Sequence, residues 1–396
     1  MSRRVPLAAV ALALLLIGCD APVDRYPPND VYALTLARSF RVPTDLANTD
    51  TTKVVTELFG TPEQPQWPVD WLPEDAGNLV DLNRIERAAG AVSSEKDGTH
   101  RGLFREHCVT CHGVAGDGAG PASQTQNPYP RDFRHGVFKW KSTERADKPT
   151  REDLRETLVH GVPGTGMPSF SLLVKDDLES LIDYTIYLSV RGEVERRLMV
   201  AAIDELGYED TLADPSASLT LRSDTDGEEI VRSVLARVTG QWVGAQAVTV
   251  SKAWEELSGE ELTASIARGK EIFHSQVANC VGCHGPGGNG QAITLDYDDW
   301  AKEYSTRLGI TPDDREAMRP FRRAGALRPR PVRPRNLQNA VFRGGSDTDD
   351  LYRRITQGIA GTPMPALAVV DGSEGNGLTE AEIWDLVRYL RSFGSP

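Results

Sequence analysis

Cys108-Val109-Thr110-Cys111-His112 and Cys280-Val281-Gly282-Cys283-His284 decide the reading of this chain. Each places two thiols three positions apart with an imidazole directly after them. The second copy begins 172 residues after the first, and the sequence around the motifs repeats as well. Arg101-Gly102-Leu103-Phe104 precedes the first motif and Arg268-Gly269-Lys270-Glu271-Ile272-Phe273 the second. Downstream, Pro130-Arg131-Asp132-Phe133 answers to Pro334-Arg335-Asn336-Leu337, and Val137-Phe138-Lys139 to Val341-Phe342-Arg343. Gly164-Thr165-Gly166-Met167-Pro168 then answers to Gly361-Thr362-Pro363-Met364-Pro365. An internal repeat of this kind means that one supersecondary design is built twice.

Two thiols at this spacing each add to one vinyl group of a haem, and the next residue supplies an axial nitrogen. The string is a c-type haem attachment signal. Zinc is the competing chemistry, but a zinc ribbon sets its two knuckles about 15–20 residues apart, and the one further cysteine, Cys19, cannot supply the second pair of ligands that each site would need. A thioredoxin-like pair calls for a βαβ context and has no use for the trailing histidine. The attachment residues are therefore Cys108, Cys111, Cys280 and Cys283, with His112 and His284 as the proximal iron ligands.

Past the signal region the chain has four methionines, Met167, Met199, Met318 and Met364. Met167 and Met364 occupy matched positions in the repeat and are the expected distal ligands; Met199 and Met318 have no counterpart and read as packing. A thioether ligand favours ferrous iron and raises the potential. With both axial positions filled by protein, the iron exchanges single electrons and has no seat for a reactant.

The N-terminus reads as an address. Ser2-Arg3-Arg4 is basic, Val5 to Ile17 is apolar, and Gly18 precedes Cys19. This is a secretory signal, too short for a comfortable membrane span of about 20 residues. Leu16-Ile17-Gly18-Cys19 resembles a bacterial lipobox, which implies cleavage after 18 and acylation of Cys19. A cleaved signal with an incidental cysteine is the alternative.

Each half resembles a class I cytochrome c domain, over about 96–191 and 263–396. The resemblance implies an all-α fold with two tandem helical haem domains and two covalent haem c groups. It also implies a proline carbonyl on each proximal histidine, with Pro130 and Pro334 as candidates. Arg131, Arg335 and Trp140 are candidates for contacts to the haem propionates. Amphipathic helices close the copies, through Leu178, Leu181, Ile182 and Leu188, then Ile383, Leu386, Val387 and Leu390. Thr379 with Glu382 forms a capping-box pattern. The second copy departs from the pattern: 80 residues separate His284 from Met364, against 55 between His112 and Met167. An arginine-rich insertion at about 291–333 lengthens it; this segment could meet an acidic docking partner, with a solvated loop, or arginines paired with acids such as Asp298, Asp299, Asp313 and Asp314, as the alternatives.

The expected organisation is a signal peptide at 1–18, a Pro-rich tether at 19–95, a first haem domain at 96–191, a connector at 192–262 that packs on both domains, and a second haem domain at 263–396. His135 and His160 read as surface residues, with ligation or proton coupling as the alternative; His100, His107 and His274 are expected to be exposed. The net charge of −13 argues against nucleic acid. The expected function is electron transfer, by a periplasm-facing, lipid-anchored carrier, to or from partners such as a quinol-oxidising complex or a terminal oxidase. It is read as a carrier or oxidoreductase subunit rather than a stand-alone enzyme. A dihaem enzyme of the peroxidase or thiosulfate dehydrogenase type is the alternative, and it requires one open or unusually ligated haem.

Overall fold

The computed structural model describes residues 23–209, 218–245, 254–291, 295–371 and 376–393. The signal at 1–18 and the acylation candidate Cys19 lie outside the described residues. Among those described, the chain is mostly helical; sheet is confined to two two-stranded antiparallel ladders, Ser93–Ser94 with His100–Arg101 and Asp296–Tyr297 with Pro331–Val332.

The N-terminal segment corrects the expected tether. Helices α1 (Asp30–Phe40), α2 (Asp45–Phe59) and α3 (Leu82–Ala88) fold there, with Val54, Val55, Phe59 and Ile85 fully buried. The prolines that suggest a spacer fall between these helices, where a missing N–H and a fixed φ end one element without harming the next. Within α2, Val54, Val55, Leu58 and Phe59 line one helical face, and removing that face from water outweighs the local proline content.

That face meets the keel of the first half. After α4 (Leu103–His107), the motif helix α5 (Val109–His112) and α6 (Arg151–His160), the chain forms α7, Lys175–Asp204. Thr150 and Asp153 close a capping box at the start of α6. At 30 residues, α7 runs about 45 Å. Helices α2, α3 and α6 pack on it. So does α8 (Asp226–Ala245), which buries Val231, Leu235, Val238 and Trp242 completely. The expected boundary at 191 therefore falls inside a continuous helix, and the expected connector is divided. Its part up to Ala245 belongs to the first core, whereas Trp254 packs edge-on against Trp384 of the second.

The second half rests on α9 (Gly259–His274) crossing the C-terminal helix α13, with α10 (Cys280–His284), α11 (Arg319–Arg323) and α12 (Thr348–Thr356) between them; α13 spans Glu380–Ser392. The crossing is tight at Gly269, where a Cβ would lie 2.0 Å from the Asp385 carbonyl oxygen. Ser265 and Arg268 both hydrogen-bond the Asp385 carboxylate beside it. The capping box expected of Thr379 and Glu382 is present. The insertion is not a bare loop: Arg307 pairs with Asp299 and Arg328 with Asp313 on its surface, as expected, but it also has a core of its own. Ala301, Tyr304, Ile310, Met318, Phe321 and Ala326 form a third apolar cluster, and Val31 and Leu34 of α1 pack against it. Met318 sits in this cluster and Met199 in the first core, both buried.

Candidate haem-binding cavity

The two motifs fold by the same local rules. α5 and α10 both end on a glycine in left-handed backbone, Gly113 at φ 73° and Gly285 at φ 74°. The chain then turns back. Gly118 N–H donates to the His112 carbonyl at 2.8 Å and Gly290 N–H to that of His284 at 2.9 Å. Phe133 N–H donates to Gly116 and Leu337 N–H to Gly288, both at 2.7 Å, which brings the downstream loop under each imidazole.

There the structure corrects one assignment. His112 Nδ1–H donates to the carbonyl of Arg131, and His284 Nδ1–H to that of Arg335, each at 3.1 Å. The acceptors are thus one residue beyond Pro130 and Pro334. A proline has no N–H but its carbonyl is unrestricted, so sequence alone does not say which of two successive carbonyls turns inward. The bond selects the tautomer that leaves Nε2 with a free lone pair. Burial, the largest influence, holds both imidazoles below their ordinary pKa, so they are neutral near pH 7 and able to bind metal. Burial also pushes the Cys108 thiol up to about 12 and the Cys280 thiol up to about 11, with the neighbouring cysteine adding to it. No group of three or more metal-binding His, Cys, Asp or Glu side chains occurs among the described residues.

The methionine loops match bond for bond. Thr165 Oγ1 donates to the Val162 carbonyl and accepts the Met167 N–H; Thr362 Oγ1 does the same between Ile359 and Met364. Val162 N–H returns to the Met167 carbonyl and Ile359 N–H to that of Met364. Phe170 and Leu367 then tie each loop to the helix before it, through the Leu158 and Ile355 carbonyls. The threonine of Gly-Thr-x-Met-Pro is therefore the loop's internal clip.

All these side chains line one continuous, mostly apolar cavity of about 650 Å³. Cys108, Cys111, His112, Met167 and Arg131 reach it from the first half, and Cys280, Cys283, His284, Met364 and Arg335 from the second; Trp140 lies on the same wall. His160 is not on the wall and pairs with Glu156 on the surface. His135 is off the wall too, but contrary to expectation it is largely buried, between Asp132 and Glu303. His107, expected to be exposed, lines the cavity and meets Phe170 edge-on.

The sequence reading missed the rest of the polar wall. Lys139, Arg343 and Arg354 join Arg131 and Arg335 there. Burial pushes Arg131 and Arg354 down to about 10 and Lys139 down to about 8. Arg131 stacks on Trp300, 4.1 Å from its ring centre, and Lys139 pairs with Asp298 at 3.5 Å, so the insertion supplies both partners. The repeat already pairs Lys139 with Arg343; that matched cation was the available signal. Arg131 Nη1, Arg335 Nε and Arg343 Nε are buried without a hydrogen-bond partner. A buried polar nitrogen left without a partner is costly, and an anionic ligand would satisfy all three. Haem carries two carboxylates, so a wall of thiols, neutral imidazoles, thioethers and orphaned guanidinium nitrogens fits that group.

Parts of the chain match known protein families. Residues 266–394 match the family described as Cytochrome c. The chain contains a c-type cytochrome domain. Residues 97–184 match the family described as Cytochrome C oxidase, cbb3-type, subunit III, so the first motif lies in an oxidase-subunit-like region. Over 102 residues the chain is 28% identical to the Cbb3-type cytochrome c oxidase subunit CcoP of Azospirillum sp. (strain B510). That stretch is 22% of this chain and 29% of the relative, so the match spans less than a third of the relative's length. A chain of the Kuenenia stuttgartiensis reducing HAO-like protein complex has a TM-score of 0.46 and 22% identity over 76% of this chain and 97% of that one.

Proposed function

We propose that this chain is an exported, lipid-anchored dihaem cytochrome c that carries single electrons between respiratory redox partners, with a quinol-oxidising complex and a terminal oxidase as the expected kinds of donor and acceptor. The observation that carries the reading is the doubled construction around one cavity. Each motif helix has its histidine held by a backbone carbonyl at 3.1 Å, and each has its methionine loop clipped by a threonine.

In this reading Cys108 and Cys111 anchor one haem and Cys280 and Cys283 the other. When bound, each haem supplies a one-electron iron couple. The protein's part is to hold and tune it. His112 and His284 present neutral Nε2, Met167 and Met364 present thioethers, and Arg131 and Arg335 hold the propionates. The apolar wall excludes water, and the weak sulfur donor keeps the potential high. The matches to the cytochrome c and oxidase-subunit families support a carrier over an enzyme. So does the presence of a methionine loop in both halves, since a peroxidase-like site requires one open iron. Two haem-binding cores are proposed, sharing the one cavity that both halves line. Cys19 is proposed as the acylated residue that keeps the chain at a membrane, facing the periplasm.

The test is anaerobic redox titration of the full-length holoprotein with spectroscopic counting. Two covalent haems and a near-infrared methionine-to-iron band of two-haem intensity are expected. Cys108→Ser combined with Cys111→Ser removes one haem by mass, and Cys19→Ser releases the protein from membranes. A single haem, or a high-spin haem in the functioning state, overturns the dihaem carrier.

A further inference from the structure

The two methionine loops are not braced only from within their own halves. Arg145 belongs to the first half, in the turn before α6, yet it reaches into the second. Its backbone N–H donates to Gln357 Oε1 at 3.2 Å. Its Nη1 donates to the carbonyls of Gln357 at 3.1 Å and Met364 at 3.2 Å. The Met364 carbonyl thus accepts both from its own loop, through Ile359, and from the opposite half. The neighbouring Gly358 has φ +64°, and a Cβ there would lie 2.4 Å from Arg145 Nη1, so the guanidinium fills the space a side chain would need. Lys141 Nζ donates to the Arg145 carbonyl at 3.0 Å and fixes the base of this reach.

The reverse contact exists as well. Arg343, of the second half, donates from Nη2 to the carbonyl of Gly164 at 3.2 Å, three residues before Met167. Gly164 lies at φ +71°, and a Cβ there would sit 3.0 Å from Arg335 Nη2, another cation of the second half. Each distal loop therefore accepts a hydrogen bond from an arginine of the other repeat. Hydrogen bonds from a guanidinium are stronger and more directional than neutral ones. A thioether is a weak ligand whose place on the iron depends on the loop that presents it.

We propose that Arg145 and Arg343 are positioning residues that act crosswise: Arg145 sets the Met364 loop and Arg343 the Met167 loop. This rests on His/Met ligation as proposed above. It goes further in making each iron's distal bond depend on the other half of the chain. Arg145 grips the carbonyl of the ligand residue itself and Arg343 a residue three positions upstream, so Arg145 is the stronger brace.

The test uses the full-length dihaem protein, with Arg145→Gln, Arg145→Lys and Arg343→Gln. In the reduced state each ligating methionine gives its own ring-shifted methyl resonance in proton NMR, and in the oxidised state each contributes to the near-infrared band. Arg145→Gln is expected to displace or broaden the Met364 methyl resonance and to lower the band to about half, with the Met167 resonance in place. Arg343→Gln is expected to move the Met167 resonance, by less. Arg145→Lys, which keeps one charged donor, restores part of the Met364 signal. Crosswise action is overturned if Arg145→Gln leaves both resonances untouched, shifts only Met167, or shifts both alike. It is equally overturned if Arg145→Gln and Arg145→Lys both fail to retain either centre. A wild-type protein with no methionine methyl resonance sinks the ligation reading, and this inference with it, which is a different result from an unselective variant.

Discussion

Gly118 lies so close to Pro130 that a Cβ on it would stand 2.7 Å from the Pro130 carbonyl oxygen. The loop packed there also carries the Arg131 carbonyl, which accepts the His112 Nδ1–H. Gly118→Ala must therefore move that loop and also strain a backbone at φ +71°. The expected cost is about 2 kcal/mol of stability and, on the proposed ligation, a fall in the potential of the iron held by His112. Thermal melting and potentiometry check it. Gly240→Ala, on the exposed face of α8 with nothing within 4 Å of its Cβ, is the control and should stabilise slightly.

Thr165→Val keeps the shape of the side chain and removes the hydroxyl that joins Val162 to Met167. The variant should lose about 1 kcal/mol and should release Met167 from iron at lower denaturant than wild type. Thr362→Val should do the same for Met364. Denaturant titration followed at the methionine-to-iron band distinguishes the two loops from a general loss of stability.

Phe59 tests whether the N-terminal region is part of the fold. It is fully buried and meets Trp67 and Tyr187 edge-on, with ring centres 6.1 and 6.0 Å away. Phe59→Ala should cost about 3–5 kcal/mol in equilibrium unfolding. A residue on a solvated spacer would change stability by less than about 0.5 kcal/mol.

His135 gives stability a pH dependence of known sign. Burial, reinforced by Arg196, pushes its pKa down to about 4. The unfolded chain binds a proton near pH 6.5 that the folded chain refuses until about pH 4, so stability is full above 6.5 and is lost as pH falls between these values. From pH 7 to pH 5 the loss should be about 1–2 kcal/mol. His135→Asn should flatten the curve over that interval; an unchanged slope would show that other groups carry it.

What was legible in the sequence was the chemistry that tolerates few residue types. The paired cysteines with their histidines, and the two Gly-Thr-x-Met-Pro loops, stand out because their order and spacing recur. The structure brings the four cysteines, two histidines and two loop methionines, with Arg131 and Arg335, to the wall of one cavity. Long-range packing was hidden. Prolines 43, 62, 65, 68 and 73 suggested a spacer, although the helical stripe Val54, Val55, Leu58 and Phe59 lay between them. The choice between Pro130 and Arg131 as acceptor depends on a single backbone rotation that no residue type announces. Arg145 and Met364 stand 219 positions apart, and nothing local in either copy of the repeat points from one to the other.

Helix α7 bears on how such a protein can be taken apart. Its first turns complete the half that carries Met167, while Val194, Leu198, Met199 and Ala202, further along, are fully buried in the same core as α2 and α8. The half that carries the first motif is thus not a portable cassette. Excision at residue 191 would strip the remaining helix of half its mortise, and a donor of this module to any fusion must bring everything from the N-terminal helices through Ala245.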